Sequence, residues 1–471
     1  MNLKSRAHGI FAIGLALGLA SSLPAQERES SALQQQQRLI DEKLKQQRRD
    51  LAPLDSAFDF QWGGWVDYYF FDFNDGVQSQ RLLSRPSASL WGRVTLDDGA
   101  HEFFARGRLS FSYYSSGDEY EREQDWIGPN LDRGWYQIDI GKAFRLTSPG
   151  DPIQAKIKVG RQEIVFGTGY ALDLPMDAVR IEGKLADLRV VGLFGKTIAS
   201  YPNIDNSDPV DTHSSRRFYG VEATYTGLEG HEPFAYALWN DDYTDERPKD
   251  FYQDYSYDSQ YFGFGSRGQI IRNLNYWGEA VWESGHSFGD GDFRQQDYIQ
   301  AWAWDAGLEY LFVGEMKPRV SFEYMFASGD GGRVYSPTNA AGGNSGDNKD
   351  TSFSGFGYRD TGIAAGPRLS NIHIWRAGAS FLPAPKNECT RDLELGSNWF
   401  LYHKNASRGA ISDSTAGDFE GFVGWEMDYF INWRLTSDLS WTFRWGLFFP
   451  GDAYLDQTTR SFFFTGVTWS F

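Results

Sequence analysis

The residues of this sequence that could do chemistry are arginines and lysines at alternate positions of apolar segments. In HEFFARGRLSFSY, residues 101–113, Arg106 and Arg108 share one face with Glu102, while Phe103 and Phe111 lie on the other. A guanidinium binds a carboxylate through paired hydrogen bonds, so cations at several depths would hold an acidic ligand without trapping it. The alternation, extended over the chain, predicts an anion-binding path made of Arg93, Arg106, Arg108, Lys156, Lys158, Arg180, Arg319, Arg376 and Arg444. Arg161 is added to this path on a separate argument.

Acidic residues have the same parity as these cations, which means that the alternation places them on the same face of a strand. They are Glu102, Asp139, Glu279, Asp305, Glu309, Glu323, Glu426 and Asp428. Each inward charge therefore has two interpretations: it is one half of an ion pair that stiffens a wall, or it belongs to the anion-binding path. The two signs nearly balance, which departs from a plainly basic surface.

Arg161 is a separate case within the predicted path. It has the parity of Val159 and would lie on the outer, apolar face of an unbroken strand. A bulge at Gly160, or the end of the strand, would turn it inward to join Lys158 and Arg180.

Strands must position these side chains, because residues two apart share a face in a strand. The same alternation recurs in residues 302–312, 320–326, 375–381 and 439–447. A soluble sandwich would turn the apolar face inward and a membrane barrel would turn it outward, so periodicity alone allows both. No apolar run after the N-terminus approaches the roughly 18 residues of a spanning helix, so a membrane-spanning form would be a barrel.

The first 25 residues predict a secretory signal peptide. Lys4 and Arg6 precede an apolar run from Gly9 to Ala20, which is followed by small residues. We therefore expect the mature chain to be exported. Its net charge changes from −18 to −20 on losing Lys4 and Arg6, and this argues against nucleic acid as a partner. The single Cys389 excludes an intrachain disulfide.

The connections between strands decide between sandwich and barrel. Turn signals divide residues 57–471 into about 18 strands, within the range of outer-membrane barrels. Counted from a first strand near Phe58, the even connections are mostly short: 97–99, 183–187, 227–232, 272–275, 314–318 and 434–438. The odd ones are mostly long: 114–131, 198–216, 241–259, 284–298, 329–371 and 405–418. The sequence thus predicts an all-β fold, a transmembrane antiparallel β-barrel.

The long connections carry much of the negative charge. Residues 114–131 and 241–259 are rich in Asp and Glu, which is typical of a solvated rim or of divalent-cation bridging to lipopolysaccharide. Residues 336–358 are rich in Ser, Gly and Asn and are longer than a connector needs. We predict that they form a lid or a plug that folds inward.

Three segments resemble the alginate-export family of outer-membrane barrels. They are KVGRQEIVFGTGYALDLPMDAVRIEG (158–183), FEYMFASGD (322–330) and GWEMDYFINWRLTSDLSWTFRWGLFFPGDAYLDQ (424–457), in the family's order. The resemblance covers roughly residues 58–471. It implies an eighteen-stranded monomeric barrel in the outer membrane of a Gram-negative-type bacterium, and export of the acidic polysaccharide alginate through an arginine-rich constriction. The balanced lumen charges weaken alginate itself as the cargo.

The C-terminus resembles an outer-membrane assembly signal. Gly466, Trp469 and Phe471 take the expected places, whereas Phe464 replaces the polar residue usual at its position. The resemblance implies the barrel-assembly machinery as a partner, beside outer-membrane lipid and lipopolysaccharide.

Residues 26–56 have the composition of a helix that stops near Pro53. Leu33, Ile40, Leu44 and Leu51 repeat at seven, four and seven residues, as in a coiled coil. The segment is either a solvated periplasmic tether or a short coiled coil that oligomerises barrels or contacts periplasmic export components through residues 30–52.

An enzyme is the alternative from a different class. His286 lies between Ser284 and Ser287 in a predicted loop, but such neighbours arise easily in Ser/Gly loops and no catalytic motif surrounds them. No metal-ligand cluster or phosphate loop is recognisable, so we expect no cofactor. The sequence favours a channel for an acidic polysaccharide or related anionic solute, with a general or sugar-selective diffusion porin as the alternative.

Overall fold

The computed structural model describes residues 58–74, 80–116, 125–144, 146, 153–198, 204, 215–243, 256–289, 296–334, 336–337, 344 and 348–471. The predicted signal peptide (1–25) and helical tether (26–56) lie outside the described residues. Among those residues, no helix has the length and apolar character needed to cross a membrane.

Strands account for most of the described chain. In order they are β1 Phe58–Asn74, β2 Arg81–Leu96, β3 His101–Ser116, β4 Asp125–Asp139, β5 Ile153–Phe166, β6 Leu172–Leu185, β7 Leu188–Thr197, β8 Arg216–Tyr225, β9 His231–Asp242, β10 Asp258–Ile271, β11 Leu274–Gly289, β12 Gln296–Leu311, β13 Arg319–Ala327, β14 Lys349–Asp350, β15 Ile372–Phe381, β16 Leu393–Lys404, β17 Phe422–Arg434, β18 Leu439–Pro450 and β19 Arg460–Ser470. A single helical turn, α1 Ile140–Ala143, follows β4.

Eighteen of these strands form one closed antiparallel barrel. Each pairs with its neighbours in sequence, and β1 pairs with β19 from Trp65↔Ser470 to Asn74↔Ser461, which closes the sheet. The two-residue β14 instead runs parallel to β12, so β13 pairs directly with β15. The predicted barrel of about 18 strands is confirmed.

The apolar face of the strands points outward. On β12, Trp302 is 50% exposed on the outer face, whereas its neighbours Ala301 and Ala303 are buried inside. Phe322 on β13 is likewise exposed, next to the buried Glu323. Closure gives every barrel strand a paired neighbour on both sides, and this lets a sheet present an apolar outer face to lipid.

Connections at the two ends of the barrel differ in length. At one end, the turn end, lie both barrel termini and the connections 97–100, 140–152, 186–187, 226–230, 272–273, 312–318, 382–392 and 435–438. Asp97 and Asp98 both have positive φ, as a tight hairpin turn requires. The other end, the loop end, carries the longest connection, residues 328–371.

The last residue of the chain takes part in barrel closure. The Phe471 amide donates to Gly64 O at 2.9 Å, and the Gly64 amide donates to Phe471 O at 3.0 Å. The side chains of Trp469 and Phe471 lie on the outer face. Gly466 faces inward under the ring of Tyr69, where a Cβ atom would lie 2.2 Å from Tyr69 Cδ1.

Phe464 departs from the assembly pattern for a local reason. It is buried inside the barrel, with its ring centroid 5.5 Å from that of Phe71 and 5.8 Å from that of Phe462. An aromatic cluster therefore fills the interior beside the seam.

Candidate functional site

Two connections from the loop end fold into the lumen. One is the β5–β6 turn, residues 167–171, and the other is residues 351–371, here called the inner loop. The Phe356 amide donates to Ala171 O at 2.8 Å, and the Asp173 amide donates to Phe356 O at 3.0 Å. Tyr170 and Phe353 are fully buried. The two connections thus form one packed unit that narrows the channel.

The predicted lid or plug, residues 336–358, falls partly on this unit. Residues 351–358 pack inside the lumen, and residues 359–371 do so too. Most of 336–347 lies outside the described residues. The inner loop is closed at its base, where the Thr351 amide donates to Asp330 Oδ2 at 2.9 Å and Arg333 Nη2 lies 2.7 Å from Asp350 Oδ2.

Arg359 anchors the inner loop to the wall formed by β12 and β13. Its Nε lies 2.8 Å from Asp305 Oδ2 and 3.8 Å from Glu323 Oε1. Its Nη1 donates to Thr168 O in the β5–β6 turn at 2.9 Å. Burial disfavours its charge, but the carboxylates of Asp305, Glu323 and Glu279 outweigh burial and raise the pKa of Arg359 above its ordinary value.

Glu426 on β17 is a second anchor. The amides of Ile363 and Ala364 each donate to its Oε1 at 2.7 Å, and that of Ala365 donates to its Oε2 at 2.8 Å. Tyr402 Oη donates to the same carboxylate at 3.0 Å. Glu426 is fully buried, so the inner loop holds this carboxylate through three consecutive backbone donors.

Other lumen carboxylates are engaged in the same way. Glu279 accepts hydrogen bonds from Tyr236 and from the Thr168 amide. Glu283 accepts from Tyr257 and, at 2.9 Å, from the Ser354 amide. We call Glu279, Glu283, Asp305, Glu323 and Glu426 the acidic wall, since all five lie on β11–β13 or β17 and bind the inward connections.

Arginines gather on the opposite part of the sheet, on β3 and β4. Arg106 and Arg108 both contact the carboxylate of Asp132, the latter with Nη1 at 3.3 Å from Oδ1. Arg133 Nη1 also lies 3.3 Å from Asp132 Oδ1, and its Nη2 contacts Glu163. We call Arg106, Arg108 and Arg133 the arginine cluster.

A β-bulge builds this cluster. Arg106 pairs with Arg133, but the next residue, Gly107, pairs with Leu131, so Asp132 has no partner in the ladder. Leu131 is exposed on the outer face, whereas Asp132 contacts Arg106 in the lumen and Arg133 contacts Asp132. A bulge places two consecutive side chains on one side, which an unbroken strand does not do.

Most of the other predicted path residues lie toward the turn end. Each has a partner nearby: Arg93 Nε is 2.5 Å from Glu102 Oε1, Lys156 Nζ is 4.0 Å from Asp139 Oδ2, Lys158 Nζ is 3.6 Å from the Trp135 ring centroid, Arg180 Nη2 is 3.2 Å from Glu182 Oε2, and Arg319 Nη2 is 3.2 Å from Glu394 Oε1. Cations on β2, β3, β4, β5 and β6 therefore line one continuous part of the sheet.

Arg376 and Arg444 lie apart from these cations. Arg376 bridges Glu323 at 3.1 Å and Asp360 of the inner loop at 2.9 Å, so it supports the acidic wall. Arg444 Nη2 donates to Asn432 Oδ1 at 3.2 Å.

Arg161 is placed differently from the rest of the predicted path. It shares a face with the outward Val159 and Val165, and its Nε lies 2.9 Å from Asp177 Oδ1, on a side chain 51% exposed. Gly160 has a positive φ, yet the pairing of β5 with β4 continues through it without a register shift. The inward turn considered from the sequence is therefore not seen, and Arg161 does not join Lys158 and Arg180.

Sequence reasoning missed several residues of the site. Arg133 and Asp132 depend on the bulge, and Arg359 lies in a connection where alternation gives no information. Arg85, buried on β2, has the parity of Arg93, so the alternation could have found it. Among the described residues, no group of three or more His, Cys, Asp or Glu is placed to hold a metal ion.

A closed 18-strand barrel with an aromatic outer face and an interior narrowed by inward connections defines the class of outer-membrane transport channels. Comparison with family models then gives the particular family: residues 137–467 match the model described as alginate export. The chain belongs to the alginate export family, as its motifs predict. The family and the fold are those of transport barrels.

Solved structures with the same fold are porin-like barrels. Pseudomonas aeruginosa OccK8 (OprE) is 11% identical, with a TM-score of 0.55 over 88% of this chain and 98% of its own. Acinetobacter baumannii OccAB2 is 10% identical, with the same TM-score and coverage, and Pseudomonas aeruginosa OccK5 (OpdH) is 10% identical with a TM-score of 0.52 over 88% and 98%. At these identities the likeness concerns the fold alone. None of the curated proteins compared with the chain matches it.

Proposed function

We propose that this barrel is an outer-membrane channel that passes an acidic polysaccharide or a related anionic solute. One observation carries the proposal: the acidic wall is occupied by the inward connections, whereas the cations on β2–β6 line a continuous part of the sheet. A carboxylate that already accepts several hydrogen bonds has less capacity to attract a passing cation. The two signs balance in number, and the cations on β2–β6 have wall carboxylates of their own as partners. The proposal assigns the solute to these cations because the inward connections bind the acidic wall instead.

The depth of these cations also supports the proposal. Arg106 and Arg108 lie in the middle of β3, while Lys156 and Arg180 lie toward the turn end. A polyanion that moves along β2–β6 would meet positive charge at successive levels, which lowers the barrier to its passage.

A diffusion porin for sugars is the second candidate. It is favoured by a row of inward aromatic rings: Trp91 lies 6.2 Å from Phe104, and Phe104 lies 5.5 Å from Trp135, between ring centroids. Such rings contact the apolar faces of sugars whether or not the sugar is charged.

Ion selectivity in planar bilayers separates the two. The unaltered channel should prefer anions and be blocked by polyuronate oligomers, and this block should weaken as salt screens the charges. Arg106→Gln with Arg108→Gln should reduce both effects. The matched control, Arg161→Gln with Arg217→Gln, removes two positive charges from the outer face, where Arg217 lies between the inward Arg216 and Phe218 on β8. Cation preference, or block by neutral oligosaccharides alone, would favour the diffusion porin.

We also propose roles for the two ends of the chain. Residues 26–56, which lie outside the described residues, would act as a periplasmic tether or as a coiled coil, and residues 30–52 would contact export components. The barrel is inserted by the barrel-assembly machinery through Gly466, Trp469 and Phe471, and its rim contacts lipopolysaccharide.

A further inference from the structure

Asp132 is a mostly buried carboxylate that three arginines surround inside the barrel. The guanidinium groups of Arg106, Arg108 and Arg133 all contact its side chain. Three arginines around one carboxylate form the arrangement that recognises a carboxylate ligand, with charge-assisted hydrogen bonds from several directions. Here the carboxylate comes from the barrel itself.

The bulge in β4 places Asp132 there. In an unbroken strand Arg133 and Asp132 would lie on opposite faces, and only one of them could face the lumen. The extra residue between the pairs Arg106↔Arg133 and Gly107↔Leu131 brings both to the arginine cluster. The local backbone is thus built to add a negative charge to a site of positive charge.

A channel for a polyanion has to release its solute as well as bind it. Three arginines without an internal carboxylate would hold each sugar carboxylate strongly, and passage would be slow. We propose that Asp132 is a resident carboxylate of the anion path, which occupies the place of a solute carboxylate among Arg106, Arg108 and Arg133 and shortens the time that an acidic sugar stays bound. The inference rests on the proposed function, because it names how the same path binds and releases its solute.

Single-channel recording of Asp132→Asn tests the inference. The substitution keeps the size of the side chain and removes its charge, so a uronate oligomer should find three arginines without a resident carboxylate. Its mean block time should lengthen by about tenfold, the scale expected for one added charge-assisted interaction. Glu102→Gln is the matched control, since it removes the same charge from the lumen beside a single arginine, Arg93. It should lengthen the block by no more than about twofold.

The outcomes separate the inference from the proposed function. An unaltered channel that prefers anions, with block times equal in Asp132→Asn and Glu102→Gln, would overturn the inference and leave the function standing. Citrate serves as a second probe if the unaltered channel shows no anion preference. In that case the proposed function has failed. Citrate block that appears in Asp132→Asn and disappears when Arg106→Gln is added would still support Asp132 as the resident carboxylate. If citrate does not block Asp132→Asn, the inference fails as well.

A paired variant covers the case in which Asp132→Asn does not assemble. Asp132→Asn with Arg106→Gln removes one charge of each sign and leaves Arg108 and Arg133 without the carboxylate. Its block by uronate should outlast that of Arg106→Gln alone. Equal block times in these two channels would contradict the role of Asp132.

Discussion

Replacing Glu426 with alanine should free the middle of the inner loop from β17. The substitution leaves the amides of Ala364 and Ala365 without their acceptor in a buried part of the lumen, and the Ile363 amide keeps only its longer bond to Asp428 Oδ2 at 3.2 Å. An unsatisfied buried donor costs about 1–3 kcal/mol, and partial relaxation keeps the sum below two full penalties. We therefore expect local opening of this segment to become easier by about 3 kcal/mol.

Hydrogen exchange measures this opening directly. A change of about 3 kcal/mol in the free energy of local opening corresponds to roughly 100-fold faster exchange of the three amides. Glu426→Gln should accelerate exchange less. Its side-chain carbonyl oxygen still accepts hydrogen bonds from the loop amides, but its NH₂ group faces an amide donor and cannot accept. The freed segment should also raise the noise of the open-channel current, since it lies inside the lumen.

Glu309→Ala is the control for this experiment. It truncates a carboxylate on β12 near the turn end, where Glu309 Oε1 lies 3.6 Å from Arg319 Nε. Exchange at residues 363–365 should be unchanged in this variant. If Glu426→Ala also leaves exchange at these amides unchanged, Glu426 does not hold the inner loop and the anchoring argument is refuted.

Three further predictions concern the loop anchor and the barrel seam. Arg359→Met should leave Asp305 without its guanidinium partner and Glu323 with Arg376 alone, and so shift selectivity in bilayers toward cations. Arg319→Met at the turn end should shift it less. Phe471→Ser keeps the backbone hydrogen bonds to Gly64 but loses the outward ring. At native expression the assembled fraction, measured by heat modifiability, should fall, while export across the inner membrane is unaffected. A normal assembled fraction would contradict a role for the ring. Gly466→Val places a Cβ atom against Tyr69 and should lower the thermal midpoint of the folded barrel, in contrast to the outward Val467→Ala, and equal midpoints would show that the ring moves at no cost.

The faces of the strands could be predicted from the sequence because a strand has a side-chain period of two. Trp302, Glu323 and Arg106 lie where alternation places them, and the count of strands follows from the turn signals between the alternating segments. Residue type and parity were sufficient to assign these strand faces, since the period of two depends only on neighbours along the chain.

Parity fails wherever the backbone departs from a regular ladder. The extra residue Asp132 shifts the pairing of β4 with β3 by one position, and no feature of its neighbours marks it; a second shift follows between Arg108 and Ser110. The inner loop carries no period at all, so Arg359 and its partners Asp305 and Glu323 could not be connected from the sequence.

The sequence by itself determined that this chain is a barrel and which family it belongs to, because alternation, turn spacing and short motifs are local properties. Only the tertiary structure decided that the lumen charges separate into an acidic wall and an arginine cluster. That separation depends on contacts between residues far apart in the chain, such as Ile363 and Glu426, which are 63 positions apart. Closure of the sheet and the inward course of one connection bring them together, and a count of charges of each sign contains no information about which of them meet.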